Sequence, residues 1–334
     1  MTVHIGVIGA GAIGADHVRR IGARVPGAAV VAVADIDPAR AGEVASGAGA
    51  RVLPSGLDVV TDPHVDAVLV TSWGPTHADY LLAAIDAGKP VFTEKPMVTT
   101  AADGLRIVEA EQSSGRRLVR VGFMRRHDAG YRAMKEVLAS GEIGTPLLMH
   151  CVHRNATAPE TYHSEMAIRD TAVHEIDLIR WLLDDEVVSA QVISPRRTSR
   201  RFEHLQDPQF MLFETASGVR VDLEVFVNCQ YGYDIRCEVV GEMGTVELPH
   251  PADVWVRSGA RLRTPVLQDW SERFAAAFDD ELIEWVASVR EGRASGPDSW
   301  DGYAVAAVTD AAAESLGSGE VLPVLLDKRP AFYG

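Results

Sequence analysis

The sequence lacks the features by which nucleic-acid-binding and membrane proteins are recognised. Its 334 residues include 32 Lys and Arg against 47 Asp and Glu, a formal charge of −15, and no run of basic residues. This charge argues against nucleic acid as a partner, because phosphate contacts need clustered cations. No apolar run could span a bilayer, and residues 1–9 pass directly into a strand pattern without a cationic leader. We expect neither nucleic acid nor a membrane as a partner.

Cysteine is also scarce. Cys151, Cys229 and Cys237 are odd in number and lack metal-ligand spacing, so we interpret them as reduced thiols of a cytoplasmic protein. No cluster of cysteine and histidine predicts a bound metal. Hydrophobic residues make up 47% of the chain and charged residues 24%, which is typical of a globular protein. The length predicts two domains rather than one.

The pattern of strands and helices changes part of the way along the chain. Up to residue 122, short apolar strands alternate with helical patterns, which predicts an α/β domain with a doubly wound parallel sheet. After about Thr145 the strands follow one another mostly without helices, which predicts an α+β domain with a large open, mainly antiparallel sheet. We therefore expect domains at 1–122 and 123–334. The two final helices, about 270–291 and 300–316, pack either on the second sheet or back on the first domain.

A glycine-rich turn follows the first strand pattern. Gly9, Gly11 and Gly14 have the spacing G-x-G-x-x-G, which permits a tight turn, close approach of a pyrophosphate and close helix packing. Asp35 ends the second strand pattern 21 residues after Gly14, where an acid binds the ribose hydroxyls and repels a 2′-phosphate. The sequence therefore predicts NAD as cofactor. The residues predicted to bind it here are Gly9, Gly11, Ala12, Ile13, Gly14 and Asp35.

Two further segments should reach the same edge of the sheet. Ser72, Trp73 and His77 follow the third strong strand pattern, where Trp73 flanks the cofactor or packs in a tight turn, and His77 contacts the cofactor or bonds locally. Glu94 and Lys95 end the next strand pattern before a proline whose peptide bond can be cis. Lys95 could stabilise alkoxide character on a reacting hydroxyl; the alternative is a surface lysine.

A helical pattern runs from Asp170 to about Asp185. Asp170, His174 and Asp177 are spaced i, i+4 and i+7, which places them on one stripe of an α-helix. An aspartate one turn before a histidine can orient the imidazole and stabilise its protonated form, as a general base requires. The alternative is that Asp170 caps the helix and His174 is an ordinary core histidine.

Taken together, these motifs resemble the glucose–fructose oxidoreductase, inositol dehydrogenase and rhizopine-catabolism (Gfo/Idh/MocA) family, over essentially the whole chain. The glycine loop and Glu94-Lys95-Pro96 are family-wide, whereas other segments resemble the inositol enzymes of the family more specifically. Those segments are 70–75, 121–126, 150–155, 170–177, 227–235 and 300–303. The resemblance implies a Rossmann domain, a C-terminal domain whose open sheet packs on a partner subunit, and a homotetramer.

The resemblance also implies a reaction. Lys95, Asp170 and His174 would be the catalytic group in an NAD-dependent oxidation of myo-inositol at its axial C2 hydroxyl, within inositol catabolism. The residues implied near the polyol are Met124, Arg125, His153, Asn155, Asp177 and Tyr233. His127 and Ala156 depart from the expected Tyr and Pro, which leaves the finer substrate preference open.

Two alternatives stay open at this stage. The first is a related dehydrogenase for scyllo- or chiro-inositol or for a glucose-type sugar, since such an enzyme would share every cofactor motif. The second is a non-enzymatic regulator that senses sugar or cofactor; loss of the lysine or the histidine would favour it, and both are present.

Overall fold

The amino-terminal part of the chain forms the parallel sheet that its alternating pattern predicts. The computed structural model describes residues 2–250 and 254–334. The first six strands are β1 Val3–Ile8, β2 Ala28–Ala34, β3 Arg51–Val52, β4 Ala67–Val70, β5 Val91–Glu94 and β6 Val119–Gly122. They pair in parallel in the order β3-β2-β1-β4-β5-β6, the order of doubly wound dinucleotide-binding sheets. Every residue of β4, β5 and β6 is buried, as expected for a sheet covered on both faces.

Five helices connect these strands. They are α1 Ala12–Arg24, α2 Pro38–Ala48, α3 Gly56–Thr61, α4 His77–Asp86 and α5 Ala101–Ser114. Side chains define several of their starts: Asp37 accepts the Ala39 and Arg40 amides of α2, and Thr100 accepts the Asp103 amide of α5. The sequence did not predict β3 or α3, because a two-residue strand and a six-residue helix are too short to show a period.

A seven-stranded sheet dominates the rest of the chain. Its strands are β7 Pro146–Arg154, β8 Val187–Ile193, β9 Gln209–Thr215, β10 Arg220–Phe226, β11 Asp234–Gly241, β12 Thr245–Glu247 and, after a separate hairpin, β15 Leu322–Pro323. The order is β12-β11-β7-β10-β9-β8-β15, in which β7 and β10 are parallel and the other neighbours are antiparallel. The predicted open, mainly antiparallel sheet is confirmed. The hairpin is β13 Val256–Ser258 with β14 Arg261–Arg263.

The two faces of this sheet differ in exposure. Met211, Phe213 and Leu223 point to the buried face, whereas Leu148 and Leu212 lie on the other face and are 40% and 37% exposed. Alternation of this kind is expected of a strand with one covered face. The second face therefore carries apolar side chains that the described part of the chain leaves accessible.

The helices of the second part depart from the prediction in several places. Helix α6, Ala129–Ser140, was not predicted, and the predicted helix from Trp270 divides at Phe274 into α8 Trp270–Arg273 and α9 Ala275–Glu291. The predicted α-helix from Asp170 was wrong at its start: residues Ala167–Ala172 form a π-helical turn, and α7 spans Val173–Leu183. The last helix is α10 Ser299–Ser318. None of the described helices is long and apolar enough to cross a membrane.

The chain divides into two compact units that are not continuous halves. The first unit comprises Met1–Phe123, Phe278–Ala306 and Asp327–Gly334, and the second comprises Met124–Ala277 and Ala307–Leu326. Much of α9 and the beginning of α10 therefore belong with the parallel sheet. Leu282 and Trp285 of α9 join Ile5, Leu69 and Phe92 in one buried apolar cluster.

Candidate active site

The glycine loop of the first unit has a backbone that side chains would obstruct. Gly9 has a φ of +101°, and a Cβ there would lie 2.5 Å from the Ser72 amide nitrogen. A Cβ on Gly14 would collide with the Gly9 carbonyl, whereas a Cβ on Gly11, at the N-cap of α1, would meet nothing within 4 Å. The loop is thus tightly packed at Gly9 and Gly14 but open at Gly11. The open side lies at the N-terminus of α1, where the first helical residues are Ala12 and Ile13. This arrangement fits a dinucleotide pyrophosphate.

Asp35 lies just after β2 and is held by three donors. Its carboxylate accepts the Ala10 amide at 2.6 Å, the Asp37 amide at 2.8 Å and the Arg40 guanidinium at 2.7 Å. Burial raises the pKa of Asp35, but the Arg40 guanidinium and the two amides lower it by more, so the net shift is downward. The acid is therefore charged and fixed beside the glycine loop. The next residue, Ile36, is 97% exposed, an apolar surface available to a base or ribose.

The loop after β4 and the turn after β5 are joined by one buried histidine. His77 Nε2 lies 2.9 Å from the Ser72 carbonyl, and its Nδ1 lies 2.9 Å from the Pro96 carbonyl. Burial lowers the pKa of His77. The Ser72 hydroxyl bonds Thr76 at 2.8 Å, while Trp73 is 75% exposed. His77 therefore lies between the two backbone segments, and as a neutral ring it donates its single N–H to one of the two carbonyls. Trp73 presents a free aromatic face.

Lys95 lies in the turn at the end of β5. The Lys95–Pro96 peptide bond is cis. The Lys95 amide donates to the Glu94 carboxylate at 3.1 Å, and the other oxygen of that carboxylate lies 2.7 Å from His17 Nε2. The backbone of Lys95 is thus held by its neighbour's side chain as well as by the strand.

A buried cluster of charged residues lies in the second unit. Arg125, in the 3₁₀ turn Met124–His127, pairs with Glu175 of α7, and His153 Nδ1 at the end of β7 lies 3.0 Å from the same carboxylate. Each of these side chains is at most 5% exposed. Burial raises the pKa of Glu175, but Arg125 and His153 lower it by more; burial lowers the pKa of Arg125, but Glu175 and nearby groups raise it by more. Both partners therefore stay charged.

The His153 ring of this cluster lies between two further rings, those of His174 and Tyr233. The His174 and His153 rings are 6.1 Å apart between centroids, and the His153 and Tyr233 rings are 5.7 Å apart in an edge-on arrangement. Burial, opposed by Arg125, raises the pKa of Tyr233 to about 12, so its hydroxyl keeps its proton. Met124 is buried as well. Four of the predicted residues of the second unit are thus brought together: Arg125, His153, His174 and Tyr233.

The remaining predicted residues have other surroundings. Asp177 is fully buried and receives two hydrogen bonds from the Arg126 guanidinium, one of them at 2.9 Å. Asn155 joins two backbone segments, its amide donating to Phe226 and its carbonyl accepting from Cys229. Asp170 lies in the π-helical turn, so the α-helical stripe that was predicted to align it with His174 does not apply.

Two residues of these sites were missed by sequence reasoning. Glu175, adjacent to His174, contacts both Arg125 and His153. His17, three residues after Gly14, contacts the acid that precedes Lys95. Neither lies in a spacing that predicts chemistry by itself.

Comparison with known proteins identifies the family of the chain. The profile of the GFO_IDH_MocA oxidoreductase family, NAD-binding Rossmann fold, matches residues 3–123, and that of its C-terminal α/β domain matches 135–325. The chain is 66% identical to inositol 2-dehydrogenase 3 of Saccharopolyspora erythraea, covering 100% of this chain and 99% of the relative. It is 56% identical to the inositol 2-dehydrogenase of Serratia proteamaculans, with the same coverage.

A solved structure gives the same result. The crystal structure of myo-inositol dehydrogenase from Lactobacillus casei in complex with NAD(H) and myo-inositol superposes with a TM-score of 0.97 at 40% identity, and the match covers all of both chains. With a G-x-G-x-x-G loop on the expected sheet and profiles matching both parts of the chain, this protein is a member of the NAD-binding Gfo/Idh/MocA oxidoreductase family.

Proposed function

We propose that the protein is an NAD-dependent inositol 2-dehydrogenase that oxidises the axial C2 hydroxyl of myo-inositol to 2-keto-myo-inositol (scyllo-inosose), in inositol catabolism. The observation that carries the proposal is the full-length similarity, at 53–66% identity, to eight proteins named inositol 2-dehydrogenase. The polar residues gathered in the second unit support it, because a neutral polyol is recognised by many directed hydrogen bonds rather than by one charge.

Lys95, Asp170 and His174 are the proposed catalytic group. His174 accepts the proton of the reacting hydroxyl, Asp170 balances the charge that the imidazole gains, and Lys95 donates to the oxygen as negative charge develops there. NAD, when bound, supplies the two-electron acceptor that takes the hydrogen from carbon. The remaining task of the side chains is to hold the reacting hydroxyl in one orientation and to exclude competing orientations.

The polyol's other hydroxyls are assigned to neighbouring side chains. Arg125 offers donors only, Tyr233 keeps a hydroxyl proton, and His153, whose Nδ1 lies against the Glu175 carboxylate, presents Nε2. The full proposed set is Met124, Arg125, His153, Asn155, Asp177 and Tyr233. Asp177 would act partly through Arg126, which binds its carboxylate on two sides.

NAD is proposed to bind along the edge of the first unit's sheet. The proposed set is Gly9, Gly11, Ala12, Ile13, Gly14, Asp35, Ser72, Trp73, His77, Glu94 and Lys95. Within it, Asp35 selects against a 2′-phosphate by charge, and His77 acts through the two backbone segments that it joins.

The assembly is proposed to be a homotetramer in the cytoplasm. The accessible face of the seven-stranded sheet supports it, since Leu148 and Leu212 lie there at 40% and 37% exposure and a subunit contact would cover them. Three free cysteines suit the cytoplasm.

The experiment that tests the function is a panel of initial rates of NADH formation with myo-, scyllo- and chiro-inositol and glucose, with NMR analysis of the product. We expect myo-inositol to be the best substrate and its ketone to lie at C2. Scyllo-inositol should be much poorer, because its hydrogen at that carbon is axial rather than equatorial. Faster turnover of scyllo-inositol or glucose would favour the related dehydrogenases, and no turnover of any polyol would favour a sensor.

A further inference from the structure

Three buried titratable side chains meet behind the Lys95 turn of the first unit. They come from separate elements: His17 from α1, Glu94 from the end of β5 and Glu281 from α9. His17 and Glu281 are 0% exposed and Glu94 is 6% exposed. One ligating atom from each lies within 4.8 Å of the other two. Burying three such groups is costly unless each is neutralised or bonded, so the arrangement needs an explanation.

Glu94 connects two elements that the proposed reaction uses. One carboxylate oxygen accepts a hydrogen bond from His17 Nε2 at 2.7 Å, and the other accepts the Lys95 amide at 3.1 Å. His17 lies on α1, whose N-terminus follows the glycine loop. One carboxylate thus joins the helix proposed to receive the pyrophosphate to the residue proposed to hold the reacting oxygen.

The His17 ring has little freedom to turn away from this contact. The Phe92 ring meets it edge-on at 6.1 Å between centroids, and the Phe278 ring does so at 5.7 Å. Because two rings pack against the imidazole, the direction of its Nε2 hydrogen is fixed. The hydrogen bond from this fixed donor therefore holds the Glu94 carboxylate in place.

Glu281 completes the cluster as an uncharged acid. Neither of its oxygens has a hydrogen-bond partner among residues 2–250 and 254–334. Burial and the nearby Glu94 and Glu284 charges raise the pKa of Glu281 well above its usual range, although Arg120 of β6 and Arg20 of α1 act in the opposite direction. A protonated Glu281 does not disturb the hydrogen bonds that the Glu94 carboxylate accepts from His17 and from the Lys95 backbone amide. A charged Glu281 would repel the Glu94 carboxylate.

The same three residue types also occur at metal sites, but the geometry disfavours an ion here. Ligand atoms about 2.1 Å from a tetrahedral ion lie roughly 3.4 Å from one another. His17 Nε2 and Glu94 Oε1 are 2.7 Å apart, which is hydrogen-bonding distance. The contact is that of a bonded pair rather than of two ligands.

We propose that His17 is a positioning residue for Lys95, acting through Glu94, with Glu281 as the uncharged third member of the cluster. The proposal rests on the proposed function in assigning Lys95 to the reacting oxygen. The contacts of Glu94 with His17 and with the Lys95 backbone lie within the first unit alone.

The test compares His17→Leu, which removes the donor, with His17→Gln, which retains an amide donor at similar reach. Turnover of the best polyol by His17→Leu should fall at least tenfold in kcat with a smaller change in the KM for the polyol, and His17→Gln should recover most of it. His64→Leu, at an exposed histidine, is the matched control and should match wild type. A His17→Leu enzyme with wild-type kcat would overturn the proposal.

A second readout keeps this inference separate from the proposed function. Amine-reactive labelling of Lys95, quantified by peptide mass spectrometry, should change several-fold in His17→Leu and return towards wild type in His17→Gln. If wild type oxidised no polyol, the proposed function would fail, and the labelling would still decide whether His17 positions Lys95. Unchanged labelling, or a stoichiometric metal found in the purified protein and lost in His17→Leu, would overturn the positioning role.

Glu281→Gln tests the uncharged acid. Because burial and the Glu94 charge raise the pKa of Glu281 in the folded state, the stability that this group contributes should be lost as the pH rises above about 4.5, the ordinary pKa of a glutamate. Glutamine does not titrate, so the melting temperature of Glu281→Gln relative to wild type should increase between pH 5 and pH 8. A difference that is constant with pH would contradict the assignment.

Discussion

Replacement of Glu175 by glutamine should lower the stability of the folded protein strongly, although it removes only one charge. Its carboxylate is 1% exposed and bonds both Arg125 and His153, so Glu175→Gln leaves a buried guanidinium without its counter-charge. Removal of one partner of a buried ion pair costs about 3–5 kcal/mol. Glutamine has nearly the same shape, so little of this cost would come from packing.

The matched control is Glu291→Gln. Glu291 and Arg293 form an ion pair at the surface, with side chains 51% and 75% exposed, and exposed pairs contribute about 0–1 kcal/mol. Urea denaturation monitored by fluorescence should therefore show a much larger loss for Glu175→Gln than for Glu291→Gln. The double variant Arg125→Met, Glu175→Met should be more stable than Glu175→Gln, because it leaves no unpaired charge in the cluster.

The pH dependence provides an independent check. Burial raises the pKa of Glu175, but Arg125 and His153 lower it by more, so its folded-state pKa lies below the unfolded value of about 4.5. Its contribution is fully present above that pH and is lost as the pH falls through the folded-state pKa. The destabilisation by Glu175→Gln should thus shrink in acid. Equal losses for Glu175→Gln and Glu291→Gln at pH 7 would refute the reasoning.

Three further variants test the cofactor, the chemistry and the assembly. Asp35→Ser should lower kcat/KM with NAD and raise kcat/KM with NADP at least tenfold, and an unchanged rate with NADP would contradict this. Adding Arg40→Gln should reverse the rise, because the Arg40 guanidinium would no longer be available to the 2′-phosphate. His174→Ala should lower turnover by roughly 10²–10⁴-fold while NAD affinity, measured by calorimetry, is retained. Leu212→Arg should dissociate the oligomer in light scattering, whereas Leu57→Arg, at another exposed leucine, should not; a monomeric wild type would contradict the tetramer.

The sheets could be predicted because burial imposes a period on sequence. In the first unit, strands covered on both faces appear as continuous apolar runs such as Ala67–Val70; in the second, alternation along Gln209–Thr215 identifies one covered face. The elements that were missed have no such period. Helix Ala129–Ser140 buries only Tyr131 and Met134, and the two-residue strand Arg51–Val52 is exposed.

The site was only partly predictable, because its side chains are placed by contacts distant in sequence. The glycine loop and Glu94-Lys95-Pro96 could be recognised as motifs because each consists of residues that are adjacent in the sequence. The pairing of Arg125 with Glu175 joins residues 50 positions apart, and no local pattern specifies it. The start of the helix at Asp170 was predicted wrongly for a different reason: the π-helical turn Ala167–Ala172 is only six residues long, too short for its spacing to be distinguished from that of an α-helix in the sequence.

The charge balance of the cluster around Arg125 bears on the kind of substrate proposed for it. An arginine alone in a cleft would attract carboxylates and phosphates. Here Glu175 is charged and bonded to Arg125, so the pair adds little net charge, and Arg125 can offer hydrogen bonds without favouring an anion. His153, bonded to the same carboxylate, has a fixed ring direction. Donors that are fixed in direction and balanced in charge discriminate by the geometry of hydroxyl groups, which is the property that distinguishes one inositol isomer from another.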